Sequence, residues 1–219
     1  TVTVLADNST AGHPALPRLA SRDDLVRLHT RNLGGLAGAY NQALALIRRQ
    51  HPQITHVVFL DEDSDPAVLP AFLADPEVAR LLHDAGTAAV APAYVERATG
   101  LRGRYIELGR FRLHYLPRVF TGLRTVAFVI NSMSVWPLQA LQRIGDFNQG
   151  LAIDHVDTEY CLRARQLKLA VWVHGDHEFT HAIGQRGGRD GDHRAGAEAE
   201  VDGGFAVRCS SGARFDTGS

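Results

Sequence analysis

The run His-Val-Val-Phe-Leu at residues 56–60 constrains the fold most, because polar and apolar side chains do not alternate along it. Such a run is typical of a strand that is buried on both faces, and sheets built from such strands need helices on both sides. A helix pattern precedes it, with apolar residues at helical spacing: Leu36, Ala39, Tyr40, Ala43, Leu44 and Ile47. The sequence therefore predicts an α/β fold with a mainly parallel sheet flanked by helices.

Strands and helices continue to alternate along the chain. Two Asp-Pro pairs, at residues 65–66 and 75–76, have the cap-and-first-residue pattern of helix starts. Pro137 opens a further helix, and another is predicted over 157–166. Short apolar runs predict the remaining strands, at 1–5, 26–29, 87–91, 125–130 and 171–173.

The composition changes near residue 186. From there Gly and charged residues dominate and apolar periodicity disappears, so residues 186–219 are predicted to be a mostly disordered tail. Residues 1–185 are long enough to form one domain with a sizeable core. The sequence thus predicts one globular domain over 1–185, followed by the tail.

Charge and cysteine content narrow the class of protein. The formal net charge is -1, which gives no general attraction to nucleic acid, so no nucleic-acid partner is expected. The two cysteines are far apart in sequence and favour a reducing compartment. No apolar run reaches the length of a membrane span and no signal-peptide pattern is present, so a cytoplasmic location is expected.

Carboxylates follow the 56–60 run directly, in the sequence Asp-Glu-Asp-Ser-Asp at residues 61–65. Ligands of open α/β sheets bind at the carboxyl ends of strands, where Asp61 and Asp63 are predicted to lie. In an extended segment these two side chains point to the same side, and paired carboxylates suit Mg²⁺ or Mn²⁺. The alternative is a polar strand end that caps the helix starting at Pro66.

Several segments, taken in order, resemble one family. These are Asp7-Asn8-Ser9, Asn32-x-Gly34-Gly35-x-Ala37-x-Ala39-x-Asn41, Phe59-Leu60-Asp61-Glu62-Asp63-Ser64, Gly145-Asp146-Phe147-Asn148, residues 153–163 and His181-Ala182-Ile183-Gly184. Together they look like a family 2 glycosyltransferase of the GT-A type, in the bacterial rhamnosyltransferase-like branch. The resemblance covers about residues 1–185. It implies a GT-A fold that lacks the family's usual first strand.

The resemblance also implies a reaction. Such enzymes move a sugar from a nucleoside-diphosphate donor, here dTDP-rhamnose or a similar donor, to an acceptor hydroxyl during synthesis of cell-surface polysaccharide. They need Mn²⁺ or Mg²⁺ and usually invert the anomeric centre. The acceptor would be a saccharide or a lipid-linked saccharide.

Binding residues follow from the same resemblance. It implies a metal site of Asp61, Asp63 and His181, and a donor site formed by Asp7, Asn32, Gly34, Gly35 and Asp61. Each has a plainer interpretation as well: Asp7 can form an Asx-turn with Asn8 and Ser9, and the Gly-Gly pair can simply start a helix. A single His such as His181 is more often structural.

The general base is expected at the start of the helix over 157–166. The resemblance favours Asp157 for this role, with Asp154 and Glu159 as substitutes. The alternative is structural, since Asp154 can serve as N-cap and acidic residues in a first turn stabilise a helix. A Ser132-Met133-Ser134 segment falls where the family often has Ser-Gly, with Met133 in place of the Gly.

Seven arginines lie between residues 97 and 124 beside a single acid, Glu107. Arginine at this density suits phosphate or an anionic membrane surface, so peripheral membrane contact is one interpretation and a solvated loop the other. Two other functions stay open at this stage. One is a truncated, non-catalytic GT-A-like domain that binds a nucleotide sugar or a protein partner, and the other is a metal-dependent phosphohydrolase.

Overall fold

The computed structural model describes residues 1–12, 23–61, 65–109, 112–151 and 155–181, together with the backbone of 204–210. Within these ranges the chain has the α/β fold that the sequence predicts. The strands are β1 (Val2–Asp7), β2 (Leu25–His29), β3 (His56–Asp61), β4 (Thr87–Glu96), β5 (Ile106–Leu108), β6 (Leu113–Tyr115), β7 (Leu123–Val126), β8 (Val135–Pro137), β9 (Ala170–His181) and β10 (Gly204–Ser210). The α-helices are α1 (Gly35–Gln50), α2 (Leu69–Ala74), α3 (Pro76–Leu82), α4 (Leu138–Ile144) and α5 (Val156–Gln166), with 3₁₀ turns at Pro66–Val68 and Gln149–Leu151.

Eight strands form the central sheet, in the order β2-β1-β10-β3-β8-β4-β9-β7, and β5 pairs with β6 separately. Five of the eight (β1, β2, β3, β4 and β9) run in one direction, and β7, β8 and β10 run in the other. Within the described residues, only β1–β2 and β4–β9 are parallel neighbours. The predicted α/β fold, a sheet flanked by helices, is confirmed, and most of the strands share one direction, but reversed strands separate several of them, so most neighbouring pairs are antiparallel.

Strand β3 shows why helices lie on both sides of the sheet. Val57 and Phe59 join the core on one face, and Val58 and Leu60 join the core on the other, as successive side chains of a strand must. The first face is covered by α1, α4 and α5, and the second by α2 and α3. The 56–60 run is buried on both faces, as its composition predicts.

The loops and strand ends differ more from the sequence-based expectation. The predicted strand over 125–130 ends at Val126, because the next backbone N–H, that of Ala127, donates to the carbonyl of Ile106 outside the main sheet. Strand β9 extends well beyond the predicted 171–173 and places His181 at its carboxyl end. None of the described helices is both long enough and apolar enough to span a membrane.

Part of the predicted tail is a strand. Residues 204–210 form β10, which lies between β1 and β3 and is antiparallel to both. The prediction of disorder is wrong for this segment, since averaging over a Gly- and charge-rich stretch hid the short run Phe-Ala-Val at 205–207. The domain therefore includes residues beyond 185, and the other residues after 181 lie outside the described ranges.

Candidate active site

A cleft of about 220 Å³ opens at the carboxyl ends of β3 and β9. The fold brings together side chains from five separate parts of the sequence, and β3 and β9 run in the same direction and end at the same edge of the sheet. The side chains that matter most for chemistry are Tyr40, Asp61, Asn131, Ser132, Asp157 and His181. Three of these, Asp61, Asp157 and His181, are residues that the sequence singled out.

Asp61 is the last residue of β3, and His181 is the last residue of β9. The Nδ1 atom of His181 is buried and has no hydrogen-bond partner among the described residues. A buried, unpartnered imidazole nitrogen that lines the same cleft as a carboxylate fits a divalent cation, because both groups are common metal ligands. Asp63, the third expected ligand, lies outside the described residues.

Asp157 lies in the first turn of α5 and reaches the same cleft. Its Oδ1 accepts hydrogen bonds from the backbone N–H of Thr158 at 2.6 Å and from the Thr158 hydroxyl at 3.3 Å. Burial raises the pKa of the Asp157 carboxyl, and the Thr158 hydrogen bonds lower it only in part. A carboxylate with a raised pKa is a stronger base, as general-base catalysis near neutral pH requires.

The two substitute bases have different positions. Glu159 is held by the guanidinium of Arg163, which donates to Oε1 at 3.0 Å and to Oε2 at 2.8 Å. Glu159 lines a different hollow from Asp157. Asp154 lies outside the described residues, and the N-cap of α5 is His155, which has a φ of 64° and makes no side-chain capping bond.

The predicted donor residues near the amino terminus form a group of their own. Asp7 is buried, and its Oδ1 accepts from the Ser9 backbone N–H at 3.0 Å and from the Ser9 hydroxyl at 2.7 Å. This is the Asx-turn of the plainer interpretation, and it fixes the orientation of the Asp7 carboxylate. Asn8 donates from Nδ2 to Oδ1 of Asn32 at 3.0 Å, so the turn after β1 is tied to the loop that precedes α1.

That loop runs through left-handed backbone conformations. Asn32, Gly34 and Gly35 have φ values of 55°, 77° and 60°. Gly34 is the N-cap of α1, and a Cβ there would lie 2.3 Å from the side-chain oxygen of Gln149. The left-handed backbone at Gly34 therefore favours glycine, and any larger residue would also have to displace the end of the Gln149 side chain.

The sequence did not single out Tyr40 and Asn131 as site residues. Tyr40 is 1% exposed, and burial raises the pKa of its hydroxyl well above the usual value, with Asp61 and Asp157 raising it further and a hydrogen bond with Asn131 opposing them. Asn131 is also buried, and its Oδ1 has no hydrogen-bond partner among the described residues. The spacing of Tyr40 along α1 is that of any core residue, so the sequence carries no signal for its position at the cleft.

Other motif residues hold together the helices and the loop that position the site. Asn41 donates to the Phe147 carbonyl at 2.9 Å and accepts from the Phe147 N–H at 2.8 Å, which fastens α1 to the loop after α4. Arg163 donates to the Asp146 carbonyl at 2.7 Å. Phe147 and Tyr160 stack with their ring centroids 3.8 Å apart, so α5 and its Asp157 are held against the same loop.

Ser132 and Met133 connect the cleft to β3. The backbone of Ser132 forms a parallel bridge with Phe59, and Met133 donates its N–H to the Phe59 carbonyl at 2.8 Å. Met133 is fully buried with a φ of 63°, a conformation that residues other than glycine rarely adopt. The backbone at Met133 thus has a conformation suited to glycine, the residue that the resemblance places there.

Comparison with known proteins gives a likeness of structure. No protein-family model matches the chain, and no curated protein is significantly similar to it in sequence. The crystal structure of GalNAc-T7 with UDP, GalNAc and Mn²⁺ matches with a TM-score of 0.49 and 10% sequence identity, covering 79% of this chain and 34% of that chain. The chain therefore spans about a third of the length of that protein, and the likeness is too weak to assign a family.

Proposed function

We propose that the chain is a metal-dependent, inverting glycosyltransferase of the GT-A type that takes a sugar from a nucleoside-diphosphate donor. The observation that carries the proposal is the meeting of Asp61, Asp157 and His181 around one cleft. These residues come from three segments far apart in sequence, and each falls in a motif that resembles the family. The rhamnosyl donor, dTDP-rhamnose or a similar compound, rests on the resemblance alone.

Asp157 is the proposed general base. As the acceptor oxygen bonds to the anomeric carbon, the bond from that carbon to the diphosphate breaks, and the acceptor proton passes to the Asp157 carboxylate. Thr158 holds Oδ1, which leaves Oδ2 to take the proton. Burial of the carboxylate raises its affinity for that proton, in the direction that the transfer needs.

Asp61, Asp63 and His181 would hold Mn²⁺ or Mg²⁺. A bound divalent cation supplies positive charge that offsets the charge developing on the leaving nucleoside diphosphate. The chain's own contribution is to place a carboxylate and an imidazole in the same cleft. Asp7, Asn32, Gly34 and Gly35 would bind the nucleoside, since the Asn8–Asn32 hydrogen bond joins their two loops.

An acceptor linked to a lipid diphosphate, in an anionic membrane surface, is the proposed second substrate. The β5–β6 hairpin supports it: Leu113 and Tyr115 are 65% and 60% exposed, and the Arg104 guanidinium lies 4.4 Å from the centroid of the Tyr115 ring. Exposed apolar side chains beside arginine suit a lipid interface with phosphate groups. Arg102 forms an ion pair with Glu178, and Arg118 donates a hydrogen bond to the Arg102 carbonyl. The arginine-rich segment is therefore not a uniform solvated loop.

The test is to incubate the purified chain with Mn²⁺ or Mg²⁺ and a panel of nucleotide sugars, and to measure binding heat and nucleoside-diphosphate release. Metal-dependent binding of one nucleotide sugar, with release that needs an acceptor, is the expected result. Release of phosphate without any acceptor would instead indicate a phosphohydrolase. Binding without release, when saccharide and lipid-linked acceptors are supplied, would indicate a non-catalytic binding domain.

Membrane contact is tested separately by sedimentation with vesicles of neutral or anionic lipid. Binding to the anionic vesicles that weakens in Arg112→Ala and Leu113→Ser variants is expected. Equal recovery of the wild-type chain with both kinds of vesicle would remove the membrane part of the proposal and leave the transfer reaction untouched.

A further inference from the structure

A second cluster of ligand-type side chains lies away from the cleft. Its members are Asp75, the N-cap of α3, and His174 and His177 of β9. One ligand atom from each lies within 4.8 Å of the other two, and among the described residues these form the one such group of three His, Cys, Asp or Glu side chains. The Asp75 Oδ2 atom is 3.3 Å from Nε2 of His177 and 3.5 Å from Nε2 of His174.

An irregularity in β9 brings the two histidines together. Residues three apart on a regular strand point to opposite faces. Here the pairing with β4 passes from His174 opposite Pro92 directly to Glu178 opposite Ala93, so the intervening residues of β9 form a bulge. The bulge re-aims His177 toward His174, and their ring centroids are 4.7 Å apart.

Asp75 presents one oxygen to the helix and the other to the histidines. Its Oδ1 accepts the N–H groups of Glu77 at 2.8 Å and Val78 at 3.3 Å, which caps α3 and fixes the side chain. The other oxygen, Oδ2, therefore faces both imidazoles.

His174 gives a second indication of a bound ligand, separate from the clustering of the three side chains. The residue is 3% exposed, and its Nε2 is buried and forms no hydrogen bond among the described residues, although the Asp75 Oδ2 atom lies 3.5 Å away. A buried polar atom without a partner is unfavourable by about 1–3 kcal/mol, so such atoms are rare unless something else binds them. Nδ1 of His174 accepts from the Asp176 N–H at 3.2 Å, and the Asp176 carboxylate lies 3.8 Å from the same nitrogen. When the Nε2 lone pair binds a cation, Nδ1 carries the proton and donates a hydrogen bond to that carboxylate in place of accepting the Asp176 N–H, an arrangement common around metal-bound histidines.

We propose that Asp75, His174 and His177 bind a single zinc-class divalent cation, at a site separate from the donor cleft. Two imidazole nitrogens and one carboxylate oxygen form a ligand set that Zn²⁺ and Co²⁺ favour over Mg²⁺, with water completing the shell. The cation would join the start of α3 to the middle of β9. The site is thus structural, and its existence does not depend on the proposed transfer reaction.

The test uses metal-stripped protein in excess Mg²⁺. Mg²⁺ prefers oxygen ligands, so it competes with added Zn²⁺ for the carboxylates of the cleft. Zn²⁺ binding is measured by calorimetry, and Co²⁺ binding by its visible absorption. One equivalent is expected to bind and to raise the thermal unfolding temperature. Asp75→Asn retains a capping oxygen but loses the charge, and it is expected to weaken Zn²⁺ binding at least about tenfold, as is His177→Gln.

Matched controls exclude weak binding by other groups, since the chain contains eleven histidines. Asp84→Asn changes a carboxylate whose Oδ1 accepts the Gly86 N–H, and His114→Gln changes an exposed histidine of β6. Both controls are expected to bind Zn²⁺ like the wild type. Equal affinity in His177→Gln and its control, no Zn²⁺ binding by the wild type, or loss of the bound equivalent in His181→Ala would each overturn the proposal.

Discussion

The cleft at the carboxyl ends of β3 and β9 and the Asp75–His174–His177 cluster take histidines from the same strand, β9, yet they suit different chemistry. The cleft lies where β9 ends and combines His181 with the carboxylates Asp61 and Asp157. The cluster lies at a bulge within the strand, where two imidazoles face one carboxylate that a helix N-terminus holds. The comparison shows that position along a strand affects both access and ligand type.

A strand end opens onto loops, so a large and changing substrate can enter and leave there. The bulge holds the rings of His174 and His177 close together beside the capped Asp75, which suits a small ligand in a fixed shell. Oxygen ligands at the open end suit a cation that exchanges with a diphosphate, whereas nitrogen ligands within the strand suit a cation that stays. If the two regions differ in this way, changes in one should leave the metal binding of the other intact.

The largest effect is expected for Asp157→Asn. If Asp157 takes the acceptor proton, the variant loses about 10²–10⁴-fold in transfer rate while its affinity for the nucleotide sugar stays near that of the wild type. Nucleoside-diphosphate release and calorimetry measure the two quantities. Asp146→Asn, at an exposed carboxylate, is the control and should keep the wild-type rate. Full turnover by Asp157→Asn would reject Asp157 as the base.

A smaller effect, on metal requirement, is expected for His181→Ala. Loss of one nitrogen ligand should raise the Mn²⁺ concentration for half-maximal donor binding by about tenfold or more, whereas His114→Ala should leave it unchanged. The increase in unfolding temperature on addition of Zn²⁺ should survive in both variants. If His181→Ala removes that increase as well, the two regions are not independent.

The pH dependence of transfer is the third test. Burial raises the pKa of Asp157, so the ionised base is lost as pH falls through a value above the usual range of an aspartate. The acid limb of the rate profile should lie correspondingly high. An acid limb in the ordinary aspartate range would contradict the proposed environment of the base.

The same pKa shift affects stability. A carboxyl whose pKa is raised in the folded state stabilises the fold below its unfolded-state pKa, and this contribution is lost as pH rises through the folded-state pKa. Asp157→Asn should therefore raise the free energy of unfolding at neutral pH, relative to the wild type, and have little effect in acid. Urea unfolding at the two pH values measures this difference.

The smallest effect is expected on the free energy of unfolding of Asp75 variants without metal, where only the capping role of Asp75 remains. In the presence of a chelator, Asp75→Ala should lower the free energy of unfolding by about 1 kcal/mol through loss of the cap, while Asp75→Asn should change it by only a few tenths. Urea unfolding measures both. Equal losses in the two variants would mean that the charge of Asp75, rather than its capping oxygen, stabilises the metal-free chain.

The sequence predicts much of the fold, because the relevant signals are local. The 56–60 run, the helix spacing before it and the Asp75 cap are each set by a few neighbouring residues, and each is confirmed. Asp61, Asp157 and His181 could be grouped because they fall in motifs whose order resembles a family. Their roles remain predictions.

Other features depend on contacts between distant segments, and composition or spacing does not reveal them. The position of Tyr40 at the cleft depends on how α1 lies against β3, and the meeting of His174 with Asp75 depends on a bulge and on the packing of α3. The reversed strands β7 and β8 are too short to give a clear pattern. Strand β10 was hidden within a Gly- and charge-rich stretch.

The place of β10 has a consequence for how the chain folds. Val2 pairs with Cys209 and Asp61 pairs with Phe205, so β1 and β3 are joined in the sheet only through a segment that is synthesised long after both. Contacts between residues so far apart in sequence slow folding. Until β10 is in place, the facing edges of β1 and β3 are exposed to pairing with other chains. We therefore expect β10 to insert between β1 and β3 late in folding, and we expect aggregation to be most likely before it does so.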